Sequence, residues 1–378
     1  MQEFTDIFVG LDVHKDTIAV AVARAGREAP EYLGEVAHDG AGIRKLLKRV
    51  NPAGKAVLSV CYEAGPCGYG LYRLLTGMGH HCEVVAPSLI PRKPGDRLKT
   101  DRRDALQLAR LHRAGELTAV WVPDEAQEAL RDMTRAREDM VAMALQARQR
   151  LNAFLLRHGQ VYREGKSRWT QKHFYWLREL RFISPLQQLV FEEYVEAVKV
   201  ALRRVTVLED HLRAAMERSP LRPVAEGLMA LRGVSLVAAL TLVAELGDIS
   251  RFDSPRQLMA YLGLVPSEHS SGNVRRQGGI TRTGNGHVRR VLVEAAWNYR
   301  FMARRSRVIE TRATKTTVPV QAIAWEGQKR LCGRYRKLME MGKQKNQVTV
   351  AVARELAGFI WAIACEVTGK PHGSKALV

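Results

Sequence analysis

Four acids stand out in a chain otherwise dominated by base. Asp12 closes the run FVGLD, Glu63 closes LSVCYE, and Asp101 and Asp104 lie three apart in KTDRRDALQLAR. On a helix that spacing puts both side chains on one face. Carboxylates within contact distance repel one another and raise one another's pKa values unless a cation neutralises them. All-oxygen ligation suits a hard cation such as Mg²⁺, and two such ions about 4 Å apart can flank a phosphodiester, one serving the attacking oxygen and the other the leaving oxygen. Asp12, Glu63, Asp101 and Asp104 are therefore candidate catalytic and metal-binding residues. Taken singly, Asp12 reads as a strand-end turn residue, and Asp101 and Asp104 as a cap and a solvated charge. It is the combination that points to chemistry.

Such acids converge only if the elements between them fold accordingly. Residues 6–12, 17–24 and 31–37 are short β-rich runs separated by turn formers, which predicts a three-stranded antiparallel meander. Helix-like Gly42 to Val50, the apolar run Lys55 to Tyr62, a helix-like piece around Tyr69 to Met78, the run His81 to Ala86 and a helix from about Asp101 to Ala114 follow. A meander and then alternating β and α is the order of a ribonuclease H-like sheet. In that sheet the first and fourth strands are neighbours, so Asp12 and Glu63 would face one crevice, with the Asp101 helix packed across it.

Apolar residues then recur at spacings of 3 and 4 over Leu130 to Leu155 and again over Phe191 to Ala215, which predicts two long antiparallel helices. The aromatic and basic stretch EGKSRWTQKHFYWLREL between them is expected to pack at the hairpin tip rather than to stack on RNA bases. Boundaries are expected to give segments 1–124, 125–218 and 219–378. Leu231-Arg-Gly-Val234 reads as the turn of a helix-hairpin-helix-like element, with a structural helical hairpin as the equal alternative. Residues 275–307 hold nine arginines and one acid, Glu294, and the glycines at 278, 279, 284 and 286 predict a loop ending at a helix start near His287.

The 378 residues contain 59 Lys and Arg against 39 Asp and Glu, a net charge of +20. Such an excess favours a polyanionic partner, nucleic acid first. Base spread over the whole chain argues against a membrane surface. The start, MQEFTDIFVG, has acids where a signal peptide needs positive charge, and the apolar stretch Val348 to Val367, broken by Arg354, Glu355 and Glu366, reads as a buried helix. Five cysteines without CxxC or Cys/His ligand spacing read as reduced, ordinary apolar residues of a cytoplasmic protein.

The blocks GLDVHKDTIAVAVA, YEAG, KTDRRDALQLAR and YLGLVPSEHSSGNVRRQGGITRTGNGHVRR together resemble the DEDD transposases of the insertion-sequence 110 family. The resemblance covers the N-terminal part and most of the chain after residue 225. It implies a RuvC-like N-terminal domain, a coiled-coil middle and a mostly helical C-terminal transposase domain carrying a nucleophilic serine. Asp12, Glu63, Asp101 and Asp104 match the family's four acids, and Ser271, in HSSG, matches its serine. It further implies a prokaryotic, nucleoid-associated DNA recombinase that moves an insertion sequence between donor and target DNA, guided by a structured noncoding RNA, as homodimers assembling into homotetramers with no membrane partner. The turn after Glu63 departs from the pattern: it reads AGPCGY where many members have Ala-Thr-Gly-Thr-Tyr.

Attack by Ser271 would leave a phosphoserine that keeps the energy of the broken phosphodiester, so strands could be resealed without ATP. Ser270 is a neighbouring hydroxyl, and His269 and His14 read as incidental. Lys99, Arg102 and Arg103 form the expected polyanion-facing rim of the acidic site. Arg275, Arg276, Arg282, His287, Arg289 and Arg290 are expected to bind nucleic acid. Three other readings remain open: a Holliday-junction endonuclease using the four acids and water, a sugar-kinase-like phosphate hairpin at VGLDVHKDTIAV, and a nucleic-acid packaging protein. The second is weakened by Val13 and His14, where glycine would admit a phosphate.

Overall fold

The computed structural model describes residues 7–54, 56–91, 100–165, 167–271 and 274–371, with the side chains of Val274 and Arg275 left aside. The chain forms two compact units, residues 1–122 and 123–378.

The first unit runs β1 (Ile7–Val13), β2 (Thr17–Arg24), β3 (Glu31–Ala37), α1 (Gly40–Val50), β4 (Ser59–Glu63), α2 (Gly70–Gly77), β5 (His81–Val85) and α3 (Asp101–Ala114). The five strands make one mixed sheet in the order β3-β2-β1-β4-β5. Neighbours β1, β2 and β3 pair antiparallel, while β1 with β4 and β4 with β5 pair parallel. This mixed α/β arrangement is the one expected of a ribonuclease H-like sheet, and it makes the strand ends carrying Asp12 and Glu63 neighbours.

The sequence of β2, TIAVAVAR, explains how the two faces differ. Ile18, Val20 and Val22 point into a core with Ile43 and Leu46 of α1 and Leu71 and Leu75 of α2. Ala19, Ala21 and Ala23 point the other way, against Ala105 and Ala109 of α3. Bulky residues on one face fill the α1–α2 layer, and small ones on the other let α3 approach closely. Gly10 completes that small face: a methyl there would overlap the Ala109 amide nitrogen and the Ala105 carbonyl. β4 lies under the same helix, where Ser59 Oγ and His112 Nε2 are 2.8 Å apart.

The second unit begins with α4 (Glu125–Arg157), followed by α5 (Gln171–Glu179) and α6 (Pro185–Glu217). Arg137 of α4 pairs with Glu209 of α6, while Phe154 meets Phe191 and Tyr194, so the two long helices run antiparallel. The aromatic and basic stretch between them folds back: Trp169, Phe174, Trp176 and Leu177 pack with Leu151, Phe154 and Phe191. His173 is buried among these rings.

Beyond them come α7 (Arg222–Met229), α8 (Leu236–Leu246), α9 (Pro255–Tyr261), β6 (Pro266–Ser271), β7 (Val274–Ile280), α10 (Gly286–Ala296), α11 (Arg307–Ala313), α12 (Val318–Glu340) and α13 (Lys345–Thr368). Every residue from Leu356 to Cys365 is buried. By length and composition α13 could cross a membrane, but here it is the central core helix, ringed by α7, α9, α10 and α12. In the turn between α7 and α8, Gly233 at φ +83° abuts the Ala295 carbonyl of α10, so that glycine packs inward.

One expectation is corrected. Gly278 and Gly279 belong to β7, paired antiparallel with β6, and not to a loop. The hairpin escapes sequence reading because Glu268 to Ser271 and Arg276 to Gly279 are exposed throughout. With no buried face there is no apolar alternation to detect.

Candidate active site

The parallel pairing of β1 and β4 sets the first half of the site. Leu11 pairs with Tyr62, and both point into the α1–α2 core. Side chains alternate along a strand, so Asp12 and Glu63, one step further on, share the α3 side. α3 supplies the other half through its start. Thr100 caps the helix, its hydroxyl accepting from the Arg103 amide at 3.3 Å, and Asp101 and Asp104 fill the first turn. Acids suit that end of a helix dipole, and the Gly10 contact fixes how low the helix sits on the sheet.

Among the described residues, Asp12, His14 and Asp101 offer metal-ligand atoms all within 4.8 Å of one another. His14 Nε2 lies 3.3 Å from Asp12 Oδ2 and 3.4 Å from Asp101 Oδ2, bridging strand end and helix start. Its backbone is held by the turn into β2, through His14 N to Thr17 O at 2.9 Å, and by His38 Nδ1 at 2.7 Å from the His14 carbonyl oxygen. The Asp12 side chain is only 16% exposed. Burial raises its carboxyl pKa; His14 acts in the opposite sense, and Asp104 and Asp101 raise it further. Glu63 and Asp104 stand outside the three-residue cluster, although the charge of Asp104 reaches Asp12. His14 is the residue whose part in the cluster the sequence reading missed. The signal was the spacing: two residues after Asp12 at a strand end lies on the same face.

Around the acids, the Arg102 guanidinium stands 5.4 Å from the centroid of the Tyr32 ring, and Arg103 is exposed. Lys99 lies outside the described residues.

Ser271 belongs to the second unit. It is the last residue of β6, exposed, and paired in register with Val274 across the hairpin. Ser270 donates to Glu268 Oε1 at 2.8 Å. Arg275 and Arg276 stand opposite Ser270 and His269 in the register, and Arg276 is exposed. Arg282 follows the hairpin, exposed, at φ +57°. The remaining basic candidates have internal bonds. Arg289 donates to the carbonyls of Leu262 and Thr283 at 2.9 and 2.8 Å, tying the base of the hairpin to the end of α9. His287 Nδ1 and Arg290 both meet Glu138 of α4, at 2.9 and 2.8 Å.

Beneath them lies a polar clamp. Glu245 of α8 has a fully buried side chain that accepts from Arg135 at 2.7 and 3.0 Å and from Asn285 at 2.6 Å. Asn285 also caps α10 by accepting from the Val288 amide. Burial would raise the Glu245 pKa, but the hydrogen bonds from Arg135 and Asn285 and the charges of Arg135 and Arg131 outweigh it and hold the carboxyl below its ordinary value.

Two family profiles match this chain. Residues 9–159, which include the acids, match a profile described as Transposase, of the IS110 DEDD type. Residues 225–310, which include Ser271, match the profile Transposase IS116/IS110/IS902 family. The chain is 50% identical over 365 residues to the y4qE protein of Sinorhizobium fredii, covering 96% of this chain and 90% of that one. It is 30% identical over 342 residues to the transposase for insertion sequence element IS1533 of Leptospira borgpetersenii, covering 89% and 98%. With the transposase for insertion sequence element IS1111A of Coxiella burnetii it shares 26% identity over 300 residues, 77% of this chain and 73% of that one. The chain belongs to the IS110 family of DEDD transposases, metal-dependent enzymes that act on DNA.

Proposed function

We propose that this transposase breaks and rejoins DNA strands through a covalent phosphoserine at Ser271, with Asp12, Glu63, Asp101 and Asp104 as the ligands of Mg²⁺, two ions to a site. The observation that carries the metal assignment is the gathering of Asp12 and Asp101 about His14. A part-buried carboxyl raised by burial and by two neighbouring acids is a place where positive charge is favourable. When bound, such ions would neutralise phosphate charge and favour ionisation of a nearby hydroxyl. His14 holds Asp12 and Asp101 in mutual register, and the exposed Arg102 and Arg103 meet the polymer.

In the first transfer Ser271 Oγ bonds to phosphorus, the bond from phosphorus to a sugar oxygen breaks, and the hydroxyl proton ends on that oxygen. In the second, a sugar hydroxyl attacks the phosphoserine and returns the proton to Oγ. One phosphodiester is exchanged for another, so no external energy source enters. The exposed end of a hairpin flanked by Arg276 and Arg282 suits a nucleophile that must reach a DNA backbone.

The resemblance supports four wider inferences: guidance by a structured noncoding RNA, assembly of homodimers into homotetramers, a coiled-coil role for α4 and α6, and residence at the nucleoid. A junction endonuclease that uses water is the competing reading, favoured by the acids lying together in one unit. Incubation with Mg²⁺ and end-labelled donor DNA, followed by denaturing electrophoresis, separates the two. Serine catalysis gives a protein-linked strand that Ser271→Ala and Asp12→Asn both abolish. Cleavage that survives Ser271→Ala and fails only in Asp12→Asn would establish the hydrolytic reading.

A further inference from the structure

Next to the end of α10 lies a cleft that none of the roles above uses. Trp297 and Phe301, in the turn that follows the helix, are 39% and 53% exposed. With Tyr335 and Arg336 of α12 and with Lys345 they line a cavity of about 500 Å³, in which the Trp297 and Tyr335 rings meet edge to face, their centroids 6.5 Å apart. That volume falls within the range of roughly 300 to 1,000 Å³ typical of small-molecule sites. Large aromatic side chains left in water forgo the gain of burial, so a ligand that covers them is favoured.

The charges identify the ligand. Every charged residue lining the cleft is a cation: Arg300, Arg336 and Lys345. Among the described residues none of the three has an ion-pair partner. The Arg300 guanidinium lies over both rings, 5.2 Å from the Trp297 centroid and 4.2 Å from that of Phe301, and donates to the Trp297 carbonyl at 2.8 Å, so a cation already covers part of each ring. Aromatic faces beside such cations match a nucleotide, whose base stacks while its phosphates meet the charges. In a duplex the faces of the bases are already stacked, so the nucleotide must be unpaired. Breaking and rejoining DNA strands can expose such nucleotides at the broken ends.

We infer that this cleft binds an unpaired nucleotide of a single DNA strand, its base against Trp297 and Phe301 and its phosphates on Arg336 and Lys345. The inference rests on DNA being the substrate and is independent of the roles given to Ser271 and the acids.

The test uses the full chain without divalent metal and reads the anisotropy of three labelled single-stranded oligonucleotides: an intact DNA, the same DNA with a central abasic stretch, and a matching RNA of the intact sequence. The wild type is expected to bind the intact DNA roughly tenfold more tightly than the abasic DNA. Phe301→Ala, at an exposed position, and Trp297→Ala should remove most of that preference and leave abasic binding unchanged. Arg336→Gln should weaken both DNA strands. Circular dichroism checks that each variant is folded. Equal binding of intact and abasic strands by the wild type, equal loss on both strands in Phe301→Ala, or binding confined to the matching RNA would overturn the inference. Because no cleavage is measured, failure here leaves the serine chemistry untouched, and failure of the serine chemistry leaves this result standing.

Discussion

Two groupings around carboxylates decide most at the residue scale. His14 touches both Asp12 and Asp101, and groups that orient metal ligands commonly contribute 10- to 100-fold to affinity or activity. His14→Ala should therefore lower Mg²⁺-dependent strand cleavage by about 10- to 100-fold while DNA binding in EDTA stays the same; an equal loss of binding would show that His14 holds the fold instead. Glu245 makes a purely structural prediction. Removing one partner of a fully buried ion pair costs about 3 to 5 kcal/mol. Glu245 is buried, but Arg135 is 44% exposed and Arg131 keeps its bonds to the Ala244 and Glu245 carbonyls. Glu245→Ala should therefore lower stability in denaturant melting by less than that, about 1 to 3 kcal/mol. Its folded pKa lies below the ordinary value near 4.5. Its contribution is therefore complete above about pH 4.5 and is lost as pH falls through the folded pKa. Urea midpoints between pH 6 and pH 3 should decline in the wild type and decline less in Glu245→Gln.

The elements show which features the sequence could reveal. The meander, the Asp101 helix and the two long helices are legible because each buries one face or stripe, which leaves a period of 2 or 3.6 in the residue types. β6 and β7 leave no such trace: their central residues are exposed, and the glycines of β7 suggest a loop where a strand stands. The clamp on His287 and Arg290 is equally hidden, because Glu138 lies 149 residues from His287, and no local pattern joins residues so far apart. The Asp12 neighbourhood is legible in its acids but not in its histidine, whose contacts depend on where α3 comes to rest. That position can be tested. Gly10→Ala would force α3 off the sheet, and overpacking of this kind costs about 1 to 3 kcal/mol. A lower melting temperature together with reduced cleavage is expected. Gly77→Ala, in the same unit at a position where an added methyl meets nothing within 4 Å, is the control and should lower neither.

At the scale of the whole molecule, charge governs the encounter with DNA. The net charge of +20 and its many exposed arginines predict steep salt dependence. With roughly 6 to 10 phosphate contacts, affinity for duplex DNA should fall by about 10³ to 10⁵ between 50 and 200 mM salt, and a nearly flat response in a titration would contradict a phosphate-dominated interface. Salt cannot tell a recombinase from a nuclease, because both grip the same backbone; only the fate of the cut strand does. The most direct measurement is therefore mass spectrometry of the protein-linked DNA formed with Mg²⁺ and donor DNA, after digestion of both polymers. A nucleotide attached through phosphate to the peptide bearing Ser271 is the expected result. Attachment at another side chain, or cut DNA with no nucleotide on the protein, would contradict it.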